Sequence, residues 1–103
     1  MTPPIRGQVF RVDLGFGSKP WLVVSNNQRN RNLQTVIAAR ITTTRKNAEL
    51  PTIVELSSDD PLVGFVLCDD LIQLYRAELD YPDGALSVMT MMRVSNALRI
   101  ALP

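Results

Sequence analysis

The sequence predicts a mainly β domain that carries one α-helix at its C-terminus. Several short apolar or alternating stretches, separated by turn residues, are typical of strands. An amphipathic pattern appears only at the end, from Ser87 to Leu102. Because strands do not alternate with long helices, a parallel sheet is not expected. We therefore expect a small, twisted antiparallel barrel with the terminal helix packed against it.

The predicted elements follow one another closely along the chain. Strands are predicted over residues 7–14, 21–25, 34–42, 52–56, 63–68 and 71–74. Gly, Pro, Asp and Ser predict turns at 15–20, 57–61 and 81–84. Short helical turns are predicted over 28–32, capped by Asn26 or Asn27, and over 75–79. Ser87 is the predicted N-cap of the last helix, whose apolar face would comprise Val88, Met91, Val94 or Ser95, Leu98 and Leu102.

Length and composition indicate one ordinary globular domain. The 103 residues suffice for a single domain over 1–103, in which residues 1–5, with Pro3 and Pro4, are expected to form a flexible arm. Apolar residues make up 46% of the chain and charged residues 20%. The apolar runs are shorter than the ~20 residues of a membrane helix, and the N-terminus lacks a signal-peptide core. A cytoplasmic protein without a membrane partner is therefore expected.

The absence of histidine limits the chemistry that this chain can perform. With no His and one cysteine, Cys68, the sequence excludes a Ser-His-Asp triad, a His-ligated zinc site and an internal disulfide. Neither a metal site nor a cofactor is predicted. An enzyme built from this chain must use carboxylates, hydroxyls, Lys or Arg.

Charge is distributed unevenly along the chain, although the net charge is only +1. Residues 14–48 contain six basic residues and no acidic one, whereas residues 49–83 contain nine acidic residues and one basic residue. A basic region suits a phosphate-backbone ligand. The alternative is that the two halves interleave in space, as chains do in small barrels.

Three short segments and one aromatic ring could contribute to a catalytic or binding site. The loop 15–20 offers backbone N–H groups and Lys19 to a phosphate, or it is a plain hairpin turn. Residues 41–46 bring threonine hydroxyls beside Arg45 and Lys46, which suits phosphate and ribose, or they are a strand end and a charged loop. Residues 68–70 place two carboxylates on opposite faces of a strand, one toward a cleft, or they are a surface turn. Phe16 is the candidate for an exposed stacking ring, and Trp21 is expected in the core.

Together, these stretches resemble the MazF/PemK toxins, especially the short mycobacterial-type members. Residues 6–14, RGQVFRVDL, are similar to the family's "RGxVxxxDL" opening, and residues 19–26, KPWLVVSN, to its "RPxLVxxN" strand. Residues 41–44, ITTT, resemble the end of its third strand, and residues 51–56, PTIVEL, resemble "PTxVxL". Residues 64–69, GFVLCD, occupy the position of its second acidic strand end.

The resemblance implies a fold, an activity and partners. The fold would be the compact CcdB/PemK-like barrel, which is related to SH3-like barrels. The chain would be the toxin of a type II toxin–antitoxin module and act as a homodimer. It would cut single-stranded RNA at short sequences without a metal, leaving 2′,3′-cyclic phosphate and 5′-OH ends and so inhibiting translation and growth. A cognate antitoxin would cover the RNA site with its C-terminal tail.

The resemblance also implies site residues. Lys19, Thr42 and Asp69 would be catalytic: the cation stabilises the phosphate, the hydroxyl positions it, and the carboxylate serves as acid or base. The RNA-binding residues would be Phe16, Gly17, Ser18, Arg40, Thr43, Thr44, Arg45 and Lys46. Two positions depart from the family pattern: Lys19 replaces an arginine and cannot form the bidentate phosphate fork, and Leu67 stands where some members carry an arginine.

Two other functions remain open at this point. A CcdB-like gyrase poison depends on the last residues of its terminal helix, usually with an aromatic, whereas this chain ends in Ile-Ala-Leu-Pro. A non-catalytic SH3-like adaptor needs an aromatic-lined groove, whereas the six aromatic residues here are scattered.

Overall fold

The computed structural model describes residues 2–102, so Met1 and Pro103, the ends of the predicted domain, lie outside the described residues. Six strands and two α-helices follow in the order β1 Gln8–Asp13, β2 Ser18–Val23, α1 Asn27–Asn32, β3 Thr35–Thr42, β4 Ile53–Glu55, β5 Phe65–Tyr75, β6 Pro82–Ala85 and α2 Val88–Ala101. A 3₁₀ turn over Arg76–Glu78 separates β5 from β6. Every paired strand is antiparallel, and the sheet order is β4-β5-β3-β2-β1-β6. The sheet curls into a half-barrel with α2 packed against it, which confirms the predicted fold class.

Three predictions about the strands and turns are wrong. The turn over 15–20 is shorter than predicted, because Ser18 and Lys19 already pair with β1 in a hairpin. The fifth and sixth predicted strands are one continuous strand, β5. The turn predicted at 81–84 is largely the edge strand β6, where Pro82 is tolerated because an edge strand has a side without ladder bonds.

Side chains alternate between two cores, one on each face of the sheet. The core between the sheet and α2 contains Val9, Leu22, Ala39 and Val66 among its fully buried members. The opposite face holds a smaller core of Phe10, Val12, Trp21, Val23, Val36, Ala38, Leu74 and Leu79. Trp21 is therefore buried, as predicted.

Helix α1 is anchored at its start by side-chain hydrogen bonds. The Asn26 carboxamide oxygen accepts from the Arg29 N–H at 2.8 Å, which makes Asn26 the N-cap and confirms the predicted turn. Asn30 is fully buried, and its amide donates to the Ser25 carbonyl at 3.0 Å. This bond fastens α1 to the end of β2.

Helix α2 begins at its predicted cap, and its buried face agrees with the predicted one only in part. The Ser87 hydroxyl accepts from the Thr90 N–H at 3.2 Å. The buried residues are Thr90, Val94 and Ala97, whereas Val88 is 78% exposed and Leu102 63% exposed. Val94 is buried and Met91 and Leu98 pack partly buried against the core, as predicted. The apolar pattern did not indicate Thr90, which is held inside by its bond to Asp60.

Near the N-terminus, residues 2–5 have no regular secondary structure, but Pro4 is buried. Neither described helix is long and apolar enough to cross a membrane.

Candidate functional site

The first cleft of the candidate site opens where β2 and β3 part. Their pairing ends at Trp21 and Arg40, next to Pro20, which has no N–H to donate. Lys19 and Thr42 lie two positions beyond this pair on the same sheet face, and both line a cleft of about 430 Å³. We call it the phosphate cleft. The predicted pair of cation and hydroxyl therefore share one cleft, together with Ser18 and Thr43 and with Arg11, which the sequence did not indicate.

A bulge in β5 forms the acidic side of the site. Arg40 pairs with Leu67 and Ala39 pairs with Leu71, so residues 68–70 have no partner on β3. Such bulges redirect side chains and are frequent beside active sites. Here the bulge lets Asp69 and Asp70 line one cleft of about 350 Å³, which we call the acidic cleft.

This arrangement corrects the prediction that the two carboxylates face opposite sides of a strand. Strand alternation does not apply inside a bulge. Asp69 accepts a hydrogen bond from the Thr52 hydroxyl at 3.0 Å, which orients its carboxylate. Thr42, Thr44 and Lys46 line the same cleft. The sequence indicated both carboxylates but expected only one of them to face a cleft, and it assigned a catalytic role to Asp69 alone.

Arg40 is the residue that connects the clefts. It lines the phosphate cleft, the acidic cleft and a third cleft of about 550 Å³ beneath the β1–β2 loop. Its guanidinium Nη1 lies 3.8 Å from Asp70 Oδ2, and both side chains are about half-exposed. Arg40 is therefore open to a ligand from each of the three sides. The sequence indicated it as an RNA-binding residue and, with Arg45, as a candidate for the second cation beside Lys19.

The β1–β2 loop is held in shape by Asp13. Its Oδ1 accepts from the N–H groups of Gly15 at 2.8 Å and Gly17 at 3.1 Å. Both glycines have positive φ, which suits this tight loop. These two N–H groups are thus engaged within the loop rather than offered to a phosphate, contrary to the predicted cradle. Phe16 lies between them and is 87% exposed, as predicted for a stacking ring.

The basic loop after β3 divides into two parts. Lys46 and Thr44 line the acidic cleft. Arg45 instead lies over the Phe65 ring, 5.3 Å from its centroid, and its Nη2 is 3.5 Å from Glu55 Oε2. Arg45 is absent from the described walls of the three clefts. Its contacts therefore support the strand end and do not face the other predicted site residues.

The Cys68 thiol does not serve as a nucleophile in this geometry. Burial, with a smaller contribution from the nearby Asp69 charge, raises the pKa of Cys68 to about 11. The thiol therefore stays protonated and inert at neutral pH. Within residues 2–102, no group of three or more His, Cys, Asp or Glu side chains is placed to hold a metal ion.

Residues 5–102 match the PemK-like, MazF-like toxins of type II toxin–antitoxin systems. The chain belongs to this family. The match covers the β1–β2 loop, the end of β3 and the bulge in β5, so every part of the candidate site lies within it.

Two mycobacterial relatives of this toxin are alike over nearly their full length. Endoribonuclease MazF4 of Mycobacterium tuberculosis and Endoribonuclease MazF1 of Mycobacterium bovis are each 47% identical to it over 102 residues. The alignments cover 99% of this chain and 95% of each relative.

Solved structures agree with the fold of this toxin. An endoribonuclease from a mycobacterial species, in complex with its cognate antitoxin, gives a TM-score of 0.90 at 47% identity and covers 97% of both chains. A MazE–MazF structure from Deinococcus radiodurans gives a TM-score of 0.82, covering 99% of this chain and 97% of the other. At 22% identity, this second likeness bears on the fold alone.

Proposed function

We propose that this PemK/MazF-family toxin is a sequence-specific endoribonuclease that cuts single-stranded RNA and so inhibits translation and growth. The observation that carries the proposal is the phosphate cleft, where Lys19, Arg40 and Thr42 surround one space of about 430 Å³. Relatives that are 47% identical and named endoribonucleases support it, and for that reason the gyrase-poison and adaptor interpretations are set aside.

The scissile phosphate binds between Lys19 and Arg40. During attack, negative charge builds on its non-bridging oxygens, and fixed cations lower the energy of that state. Lys19 acts as a point charge, and Arg40 adds the planar fork that lysine lacks. The Thr42 hydroxyl donates to a phosphate oxygen and fixes its orientation. Because the protein supplies this charge itself, neither a metal ion nor a cofactor takes part in the proposed reaction.

The ribose 2′-OH is the nucleophile, and Asp69 accepts its proton. The 2′ oxygen bonds to phosphorus as the bond from phosphorus to O5′ breaks, and O5′ takes up a proton from water. The products are a 2′,3′-cyclic phosphate and a 5′-OH. The Thr52 hydroxyl, 3.0 Å from Asp69, holds the carboxylate in place for this transfer.

Flanking nucleotides follow the walls of the three clefts. Phe16 stacks on an unpaired base, and Gly17 and Ser18 border it. Thr43, Thr44 and Lys46 contact phosphate and ribose on the other side, with Arg45 at the margin. This division of contacts makes the toxin selective for single strands, whose bases are free to stack.

The toxin acts in the cytoplasm as a homodimer and is inhibited by a cognate antitoxin. A mycobacterial relative at 47% identity has been solved with its cognate antitoxin, which supports this partner. The antitoxin's C-terminal tail covers the RNA site in our proposal and competes directly with the substrate.

The test is to incubate the purified toxin with total RNA in EDTA and to sequence the ends of the products. Cleavage that leaves cyclic phosphate and 5′-OH ends at recurring short sequences is expected. Lys19→Ala and Thr42→Ala are each expected to abolish growth arrest in a bacterial host while retaining the wild-type circular dichroism spectrum. RNA that stays intact with the wild-type toxin would refute the proposed function.

A further inference from the structure

The third cleft has an unpaired hydrogen-bond donor in its wall. Trp21 is 7% exposed, and its Nε1 is buried without a hydrogen-bond partner among the described residues. Buried tryptophan N–H groups usually have an acceptor, and one without an acceptor calls for an explanation, of which a functional role is one. Trp21 lines the cleft of about 550 Å³ together with Phe16, Lys19 and Asp70. Trp21 thus belongs to the smaller core and also forms part of the cleft wall, so its indole lies at the boundary between the two.

The position of this cleft fixes which part of an RNA could enter it. Lys19 and Arg40 line both this cleft and the phosphate cleft, so the two spaces adjoin. Its volume lies within the ~300–1,000 Å³ of small-ligand sites. The remaining walls are apolar or aromatic, among them Phe16 and Val12. An apolar cleft with a few polar groups beside a phosphate site suits the base of a nucleotide that flanks the phosphate.

We propose that this cleft binds a guanine base next to the scissile phosphate. The Trp21 Nε1–H donates to guanine O6, and the Asp70 carboxylate accepts from N1–H and the exocyclic N2 amine. Phe16 covers the open face of the base. Because Nε1 is covered in the free chain, neighbouring side chains must shift as the base enters. The inference rests on the proposed function, since it names the base that the RNA site reads.

The choice of guanine follows from the polar groups present. Among the four RNA bases, guanine alone places two adjacent donors beside a carbonyl acceptor, which matches one carboxylate and one N–H. Uracil has a single ring N–H between two carbonyl oxygens, which would face the Asp70 carboxylate unfavourably. Adenine and cytosine each offer one amine beside an unprotonated ring nitrogen. Arg40 Nη1 lies 3.8 Å from Asp70 Oδ2, too far for a hydrogen bond, so both oxygens of the carboxylate can accept from the base.

The test compares RNAs that differ in one base beside the mapped cut site. Guanosine, inosine (which lacks the N2 amine) and 2-aminopurine (which lacks both O6 and the N1 proton) are each placed there, and kcat/KM is measured. Wild-type toxin is expected to prefer guanosine to both analogues. Trp21→Phe should lower kcat/KM about five- to tenfold for guanosine and inosine and leave 2-aminopurine unchanged, the effect of one hydrogen bond. Asp70→Asn should abolish the preference for guanosine over inosine.

The same kinetics distinguish a base-reading Trp21 from a merely structural one. Equal slowing of Trp21→Phe on guanosine and 2-aminopurine RNA would show a purely structural role for Trp21 and overturn the inference. Cleavage without guanine beside the cut site would overturn the inference alone and leave the proposed function standing. Failure of the wild-type toxin to cut any RNA would overturn both.

Discussion

Arg40 and Asp70 face each other across a break in the β3–β5 ladder, with Nη1 and Oδ2 3.8 Å apart. The break is the three-residue bulge at 68–70, and Asp70 is the residue of this bulge that lies beside the guanidinium. An exposed pair at this distance contributes little to stability. Arg40 therefore remains available to a phosphate.

Replacing Arg40 with alanine is expected to weaken RNA binding by about tenfold, because one charge-assisted hydrogen bond is lost. The slope of log affinity against log salt should fall by about 0.7, the contribution of one phosphate contact on a single strand. Binding is measured by fluorescence anisotropy with an RNA whose 2′ oxygens are methylated, so that cleavage cannot occur. Arg31→Ala is the matched control, since Arg31 is an exposed arginine of α1. An equal loss in both variants would contradict the specific role of Arg40.

Lys46 and Arg45 are adjacent in sequence, but their substitution should affect different properties: RNA affinity for Lys46 and folding stability for Arg45. Lys46→Ala should reduce RNA affinity severalfold, because Lys46 lines the acidic cleft beside Asp69. Arg45→Ala should leave RNA affinity within twofold and cost about 0.5–1 kcal/mol of unfolding free energy, the value of an exposed cation–π contact. Anisotropy and urea unfolding measure the two effects. The assignment is wrong if Arg45→Ala weakens RNA binding more than Lys46→Ala does.

Gly64 is the residue whose substitution should damage the site from a distance. A Cβ at this position would lie 2.5 Å from the Thr42 carbonyl oxygen, and φ is +140°. Gly64→Ala must therefore push the end of β3 aside, which should cost about 2–4 kcal/mol and displace the Thr42 hydroxyl. Urea unfolding and RNA cleavage measure the result.

Gly17→Ala is the control for Gly64→Ala, since Gly17 also has positive φ but nothing lies within 4 Å of its added Cβ. Backbone strain alone should cost it about 1 kcal/mol. Equal destabilisation of the two variants would argue against the contact with Thr42.

Asp60 makes folding stability sensitive to acid. Burial raises the pKa of Asp60, but hydrogen bonds from the Ser87 N–H, the Thr90 hydroxyl and both donors of Ser57 outweigh it and lower the pKa to about 2. The unfolded chain, with its ordinary pKa near 4, therefore binds this proton first as pH falls. The stability due to Asp60 is complete above about pH 4 and lost as pH falls toward 2.

Urea unfolding of the wild type and of Asp60→Asn between pH 2 and 6 measures this contribution. At pH 6 the variant should lose about 2 kcal/mol or more, because hydrogen bonds to a charged group are lost between the β4–β5 loop and α2. The difference should shrink as Asp60 becomes protonated. Asp59→Asn, at an exposed neighbour, should behave as the wild type. A loss in Asp60→Asn that does not change with pH would contradict the titration.

The elements with a strong local signal were predicted from the sequence. The β1 pattern, the apolar third strand and the Ser87 cap depend on neighbouring residues, so their types and positions were evident. The edge strand β6 was missed because Pro82 and Gly84 signal a turn, and only its pairing with β1 makes it a strand. The burial of Thr90 in α2 was missed because its hydroxyl bonds to Asp60, a residue far away in sequence.

In the candidate site, too, some residues were indicated by the sequence, whereas other features depend on contacts between distant parts of the chain. Lys19 and Thr42 were indicated by family resemblance, and their shared cleft follows from the register set by Trp21 and Arg40. The sequence did not predict that Asp69 and Asp70 line the same cleft, because a bulge is a property of two paired strands and has no signature in either alone. The unpaired Trp21 N–H was also out of reach, since only the packed structure shows which donors lack acceptors.

The most direct test of the proposed mechanism asks whether Lys19 and Thr42 act on the same phosphate. Single-turnover cleavage of one defined RNA is measured in EDTA for the wild type, Lys19→Ala, Thr42→Ala and the double variant. Each single substitution should slow cleavage about 100-fold or more, and the double variant should be no slower than the slower single one, because the two groups serve one transition state. Wild-type rates in either single variant, or a double variant slowed by the product of the two effects, would contradict the mechanism.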